Sequence, residues 1–140
     1  MGTRSIIGMF DGNTVKSVYC HWDGYPENNG KILISSYQTK EKVEKLIDCG
    51  SMSSLGSSIE DTKFYNDPND GSPKFFTAVT VYTKMYDEVP DRKTILLDIH
   101  TEEFVYMFDC RDNMWYMLKE WESSEQSEVI FVSEAVMEVG

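Results

Sequence analysis

The sequence contains only two histidines, His21 and His100, and three cysteines, Cys20, Cys49 and Cys110, in 140 residues. The cysteines are widely spaced and no Cys-x-x-Cys occurs. That excludes a zinc site of ordinary spacing and predicts three reduced, mostly buried thiols. No apolar run approaches the ~20 residues of a membrane-spanning helix, so no membrane association is expected. A phosphate-binding loop is also missing: Ser51–Ser58 is poor in glycine and lacks the lysine of one. Bases are scarce, 13 against 24 acids, for a net charge of -11. A surface of that sign repels phosphate, which disfavours direct nucleic-acid binding. The aromatic set Tyr106, Phe108, Trp115, Tyr116 and Trp121 therefore reads as core rather than as a base-stacking platform. No secretory pattern opens the chain, and Ile6 stands where myristoylation requires Ser or Thr. No metal site, cofactor or catalytic residue is expected.

What is present suffices for one core: 41% of the residues are hydrophobic and 13% aromatic. The reading is a single domain over residues 1–140, with 120–140 an acidic C-terminal segment that forms a final edge strand or helix or a partly ordered appendage. Asp11-Gly12 between two β-rich runs, 4–10 and 14–22, marks a hairpin. On its second run Val18, Cys20 and Trp22 share one face, laid on the core, and Ser17, Tyr19 and His21 share the other. Two short helices follow. One carries Ile32, Leu33 and Tyr37. The other spans 39–49, with Thr39 as N-cap and Gly50 as C-cap. Residues 51–71 read as a long loop, 75–83 and 94–100 as strands, and 104–119 as a second hairpin turning at 109–113. Its two apolar faces place that hairpin centrally. The order predicts an α+β fold: an antiparallel sheet of about five to six strands, with two short helices inserted after the first hairpin.

Polar residues concentrate in His21-Trp22-Asp23-Gly24-Tyr25-Pro26, where a strand leaves the sheet. His21 oriented by Asp23 has the makings of a general base, and Tyr25 of a hydrogen-bond donor. The competing reading is a structured turn, with Gly24 supplying a positive φ. Arg4 is expected opposite the region of Asp23, to pair with Asp23 or Glu27 or to hold an anionic ligand. Arg4, His21, Trp22, Asp23 and Tyr25 are thus the candidate ligand- or partner-binding residues. His100 with Asp98, Glu102 and Glu103 reads as a solvated strand end rather than a metal cluster. Charge is uneven. Residues 1–70 hold 7 bases and 10 acids, net -3, and residues 71–140 hold 6 bases and 14 acids, net -8. Glu120, Glu122, Glu125 and Glu128 form a base-free acidic surface, suited either to solubility or to a basic partner.

Met1-Gly2-Thr3-Arg4-Ser5, Tyr19–Pro26, Asn29-Gly30, Tyr37, Val43, Leu46-Ile47, Gly50 and Ser53–Gly56 resemble a family of small, uncharacterised proteins from tailed bacteriophages and prophages. The resemblance covers the first 56 residues. It implies phage origin and an accessory role in the host cytoplasm, and it supplies no reaction. The leading expectation is a non-enzymatic host-takeover or anti-defence protein whose acidic surface binds a host protein, one that handles nucleic acid or serves defence. The alternatives are a protein that binds or sequesters a small nucleotide-type ligand through Arg4, His21, Asp23 and Tyr25, and a small hydrolase with His21 as base.

Overall fold

A computed structural model of the protein describes residues 3–65, 81–119 and 127–139. The first hairpin forms as the sequence predicts. β1 (Ser5–Phe10) and β2 (Thr14–Cys20) pair antiparallel around Asp11-Gly12. Asp11 Oδ1 accepts from the Asn13 and Thr14 amides at 2.9 and 2.7 Å, and Gly12 turns at φ +106°. The second hairpin, β6 (Phe104–Asp109) with β7 (Met114–Lys119), also forms, and Asn113 takes φ 57° in its turn.

The sheet is larger than predicted and mixed. Among the described residues it holds eight strands, adding β3 (Met52–Ser54), β4 (Lys63–Phe64), β5 (Tyr82–Met85) and β8 (Glu128–Phe131). The order is β4-β3-β2-β1-β6-β7-β8, with β5 also paired to β2. Two pairings are parallel, β1 with β6 and β2 with β3. This corrects the expectation of an antiparallel sheet of five to six strands. Parallel partners share no turn, so no local signal announces them. β3 and β4 are too short to show an alternation, and they occupy part of the stretch read as a loop. Of the strand expected at 75–83, residues 75–80 lie outside the described residues.

Helices cover both faces. α1 (Lys31–Ser36), α2 (Lys40–Asp48) and α4 (Val132–Val139) lie on one face, whose core includes Ile7, Val18, Leu46, Tyr106, Phe108 and Trp115. α3 (Arg92–Ile99) lies on the other, over Phe10, Val15, Val105, Met107 and Leu118. α3 replaces the strand expected at 94–100. Ile95, Leu96 and Ile99 at i, i+1 and i+4 form its buried stripe. Asp91 caps it by accepting from the Thr94 amide at 2.7 Å. The segment after the second hairpin supplies both an edge strand, β8, and a helix, α4.

α2 carries its expected caps. Thr39 Oγ1 accepts from the Lys42 amide at 3.3 Å, and Gly50 has φ +90°. Thr39→Ala should cost about 1 kcal/mol, read from the urea midpoint. No change would show that packing alone defines that helix end. All three cysteines are free, and burial raises each thiol above its ordinary pKa, Cys110 to about 11. Among the described residues no helix is long and apolar enough to cross a membrane.

Candidate functional site

The polar box divides between the two faces of the sheet. Its second half is a packed turn. Asp23, not Gly24, takes the positive φ, at 55°. Gly24 is instead required for space: its amide donates to the Thr3 carbonyl at 2.7 Å, and a Cβ there would lie 2.7 Å from Ser5 Cβ. The Gly24 carbonyl accepts from the buried Tyr106 hydroxyl. Pro26–Gly30 forms one wide helical turn leading into α1. Within it buried Asn29 donates to Ser5 Oγ at 3.2 Å, and Asn28 donates to the Asp23 carbonyl at 3.1 Å. The side chains of Trp22 and Tyr25 stand exposed.

His21 belongs to the opposite face. It alternates with Ser17 and Tyr19 along β2, on the side that carries α3. The covering helix explains what happens there. A helix is about 10 Å wide and strands are about 4.8 Å apart, so one helix shields only two or three strands. α3 packs on β6, β7 and β8. The polar side of β2 is left beside a cavity of about 540 Å³.

Each wall of that cavity has a different origin. β2 supplies Ser17, Tyr19 and His21, and β1 supplies Ile6. Ser51 and Tyr65 flank the β3–β4 pair, and Tyr82 opens β5. The end of α3 contributes Asp98 and Ile99, and Thr101 follows. Gly8 lets α3 approach β1, since a Cβ there would come within 2.8 Å of Ile99 Cδ1. Asp98 ties the walls together, accepting from Lys84 Nζ at 2.9 Å and from the Tyr86 hydroxyl at 2.7 Å. Burial raises the Tyr86 pKa, and the Asp98 hydrogen bond raises it further, so the phenol keeps its proton.

The cavity wall carries polar groups with capacity left over. Ser17 is only 4% exposed, and its hydroxyl has no hydrogen-bond partner among the described residues. Ser51, also buried, accepts from the Tyr19 amide at 3.3 Å and donates its own proton to no described residue. Tyr19 Oη lies 2.6 Å from His21 Nδ1. With the phenol donating, the ring proton of a neutral imidazole sits on Nε2, which has no partner among the described residues. Burial raises the Tyr19 and Tyr65 phenols, and the Arg4 charge opposes that rise at both.

The five candidate residues are therefore not one constellation. His21 lines the cavity, and Arg4 stands near it. The pairing of Ser5 with Cys20 puts Arg4 across from His21, one step beyond the paired strands and short of Asp23. Arg4 makes no ion pair with Asp23 or Glu27. Trp22, Asp23 and Tyr25 belong to the turn, and His21 is held by Tyr19 rather than by Asp23. The residues the sequence reading missed are Ser17, Tyr19, Ser51, Tyr65, Tyr82 and Thr101. Period-two alternation back from His21 gives the first two, and the others come from separate segments. Of the acidic set, Glu120, Glu122 and Glu125 lie outside the described residues, while Glu128 is exposed at the start of β8. Among the described residues no group of three or more His, Cys, Asp and Glu could hold a metal ion.

Comparison of the chain with known protein families, curated proteins and solved structures finds no match.

Proposed function

We propose that the protein binds a small molecule in the cavity between β2 and the end of α3, and acts by sequestering it. A single observation carries this reading. The Ser17 hydroxyl borders an apolar cavity of ligand-binding size and has no hydrogen-bond partner among the described residues. A hydrogen bond from this hydroxyl to a ligand acceptor would contribute about 1 kcal/mol net. His21 and Ser51 supply two further polar contacts, and tyrosine rings supply apolar surface for a planar group. A nucleotide-type ligand fits this inventory, with Arg4 near its charged end. In the phage setting that the first 56 residues suggest, the ligand would be a small molecule of the host cytoplasm.

Thermal denaturation with a panel of nucleotides and related metabolites tests the reading. At a hundredfold excess over Kd a ligand adds ~2.7 kcal/mol, a rise of several degrees in a chain of this size. Thr101→Trp, which puts bulk at the cavity rim, should abolish the rise and leave the unliganded Tm nearly unchanged. A rise that persists in Thr101→Trp would place binding elsewhere.

A further inference from the structure

The cavity wall is asymmetric in its hydrogen-bonding sense. Among the described residues the Ser17 and Ser51 hydroxyls donate to no neighbour, and His21 Nε2 is a free donor when Tyr19 donates to Nδ1. The one carboxylate among the described wall residues, Asp98, is already occupied by Lys84 and Tyr86. Arg4 adds a positive charge. Its guanidinium has no ion-pair or hydrogen-bond partner among the described residues. It follows Thr3, whose carbonyl holds Gly24, and its own carbonyl accepts from the Phe104 amide, so its backbone is held on both sides. Its charge acts on two wall residues, Tyr19 and Tyr65. Glu102 also acts on Tyr19, with the opposite sign and less strongly than Arg4. In a chain of net charge -11, a donor-lined cavity beside an arginine that no described acid pairs is a local reversal of polarity.

We infer that the ligand is an amphipathic anion: an apolar, planar body with one acceptor-rich head, a carboxylate, sulfonate or phosphate. This inference rests on the ligand-binding reading above and adds the sign and shape of the ligand. The head accepts from Ser17, Ser51 and His21 and lies within reach of the Arg4 field. The body packs against Tyr65, Tyr82 and Ile99. A neutral molecule of the same shape would leave the Arg4 charge unanswered, and a cation would meet three donors.

Two fluorescent probes with the same ring skeleton separate these terms. 8-Anilinonaphthalene-1-sulfonate carries the anionic head, and N-phenyl-1-naphthylamine lacks it. Titrated into the folded full chain, the sulfonate is expected to bind at one saturable site, about tenfold more tightly than the neutral probe. That factor corresponds to one charge-assisted hydrogen bond. Arg4→Gln should remove several-fold of the sulfonate affinity, most at low salt, and leave the neutral probe unchanged. Glu102→Gln should tighten the sulfonate. Tyr82→Ala, at an exposed wall position, should weaken both probes. Equal affinities, or sulfonate binding indifferent to Arg4→Gln, would overturn the anion inference while the cavity reading stands. If neither probe binds in a manner sensitive to Tyr82→Ala, both readings fall.

Discussion

Asp109→Asn is expected to lower the unfolding free energy by about 3 kcal/mol, and Tm by about 10 °C. The Asp109 side chain is wholly buried at the end of β6, and two arginines converge on it. Arg111 reaches it through Nε at 2.9 Å and a second guanidinium nitrogen at 2.6 Å, and Arg92 Nε donates at 2.9 Å. Arg92 also donates to Asp112 at 2.9 Å and lies 4.1 Å from the Tyr116 ring centre. Asp112 in turn accepts from the Tyr116 hydroxyl. The network joins the first turn of α3 to the second hairpin, so it orients the helix whose far end builds the cavity. Removing the central charge leaves two guanidinium groups facing a neutral amide. Both arginines are about one-third exposed, which keeps the loss at the low end for a buried pair. A loss below about 1 kcal/mol would mean that the cluster behaves as a surface ion pair.

The same residue sets a pH dependence. Burial alone would raise the Asp109 pKa, but the hydrogen bonds from Arg111 and Arg92 outweigh it and hold the carboxyl below its ordinary value. A carboxylate depressed in the folded state stabilises fully above its unfolded pKa, about 3.9, and loses that contribution as pH falls through the folded value. The difference between wild type and Asp109→Asn should therefore be largest near neutrality and shrink below about pH 4. Urea unfolding at pH 7 and pH 3 measures it. A difference that grows on acidification would contradict this assignment.

Gly24→Ala is expected to cost about 3 kcal/mol, the upper end for inserting a methyl group where no space exists. The new Cβ would sit 2.8 Å from the Thr3 carbonyl oxygen, as well as against Ser5. Both neighbours lie in or beside β1, which is buried along its whole length and cannot retreat. Gly12→Ala is the control. Its φ of +106° strains any side chain, yet nothing lies within 4 Å of the added atom. Its cost should be smaller, about 1–2 kcal/mol. Chemical denaturation of the two variants separates crowding from backbone strain. Equal losses would remove the steric account of Gly24.

These two sites show what the sequence could and could not announce. The hairpins are legible because Asp11-Gly12 and the Asp109–Asn113 turn act over a few residues. α2 is legible through Thr39 and Gly50, which mark its two ends. α3 is not, because Thr94, Ile95 and Ile99 carry β-branched side chains, and the buried stripe overrides that preference. Asp91, three residues before Thr94, is the signal that could have found it. His21 is legible as a polar residue at a strand end. Its cavity is not, since Ser51, Tyr65, Tyr82 and Thr101 reach it from separate segments. The role of Gly24 is hidden for the same reason: the atoms that exclude a side chain belong to Thr3 and Ser5.

The parallel seam between β1 and β6 has a consequence for how the chain assembles. Ser5 pairs with Phe104, so the middle of the sheet is stitched from segments nearly a hundred residues apart. Each hairpin closes over a handful of residues, whereas the seam must close over most of the polypeptide, which carries the larger entropic cost. Neither hairpin alone contains a complete cavity, since Ser17 and His21 lie on one side of the seam and Ile99 and Thr101 arrive with the other. During synthesis the first hairpin leaves the ribosome with its central edge bare, and it waits for its partner strand. A ligand in this cavity would act as a clasp on the finished molecule, holding the two halves of the chain together after they have met.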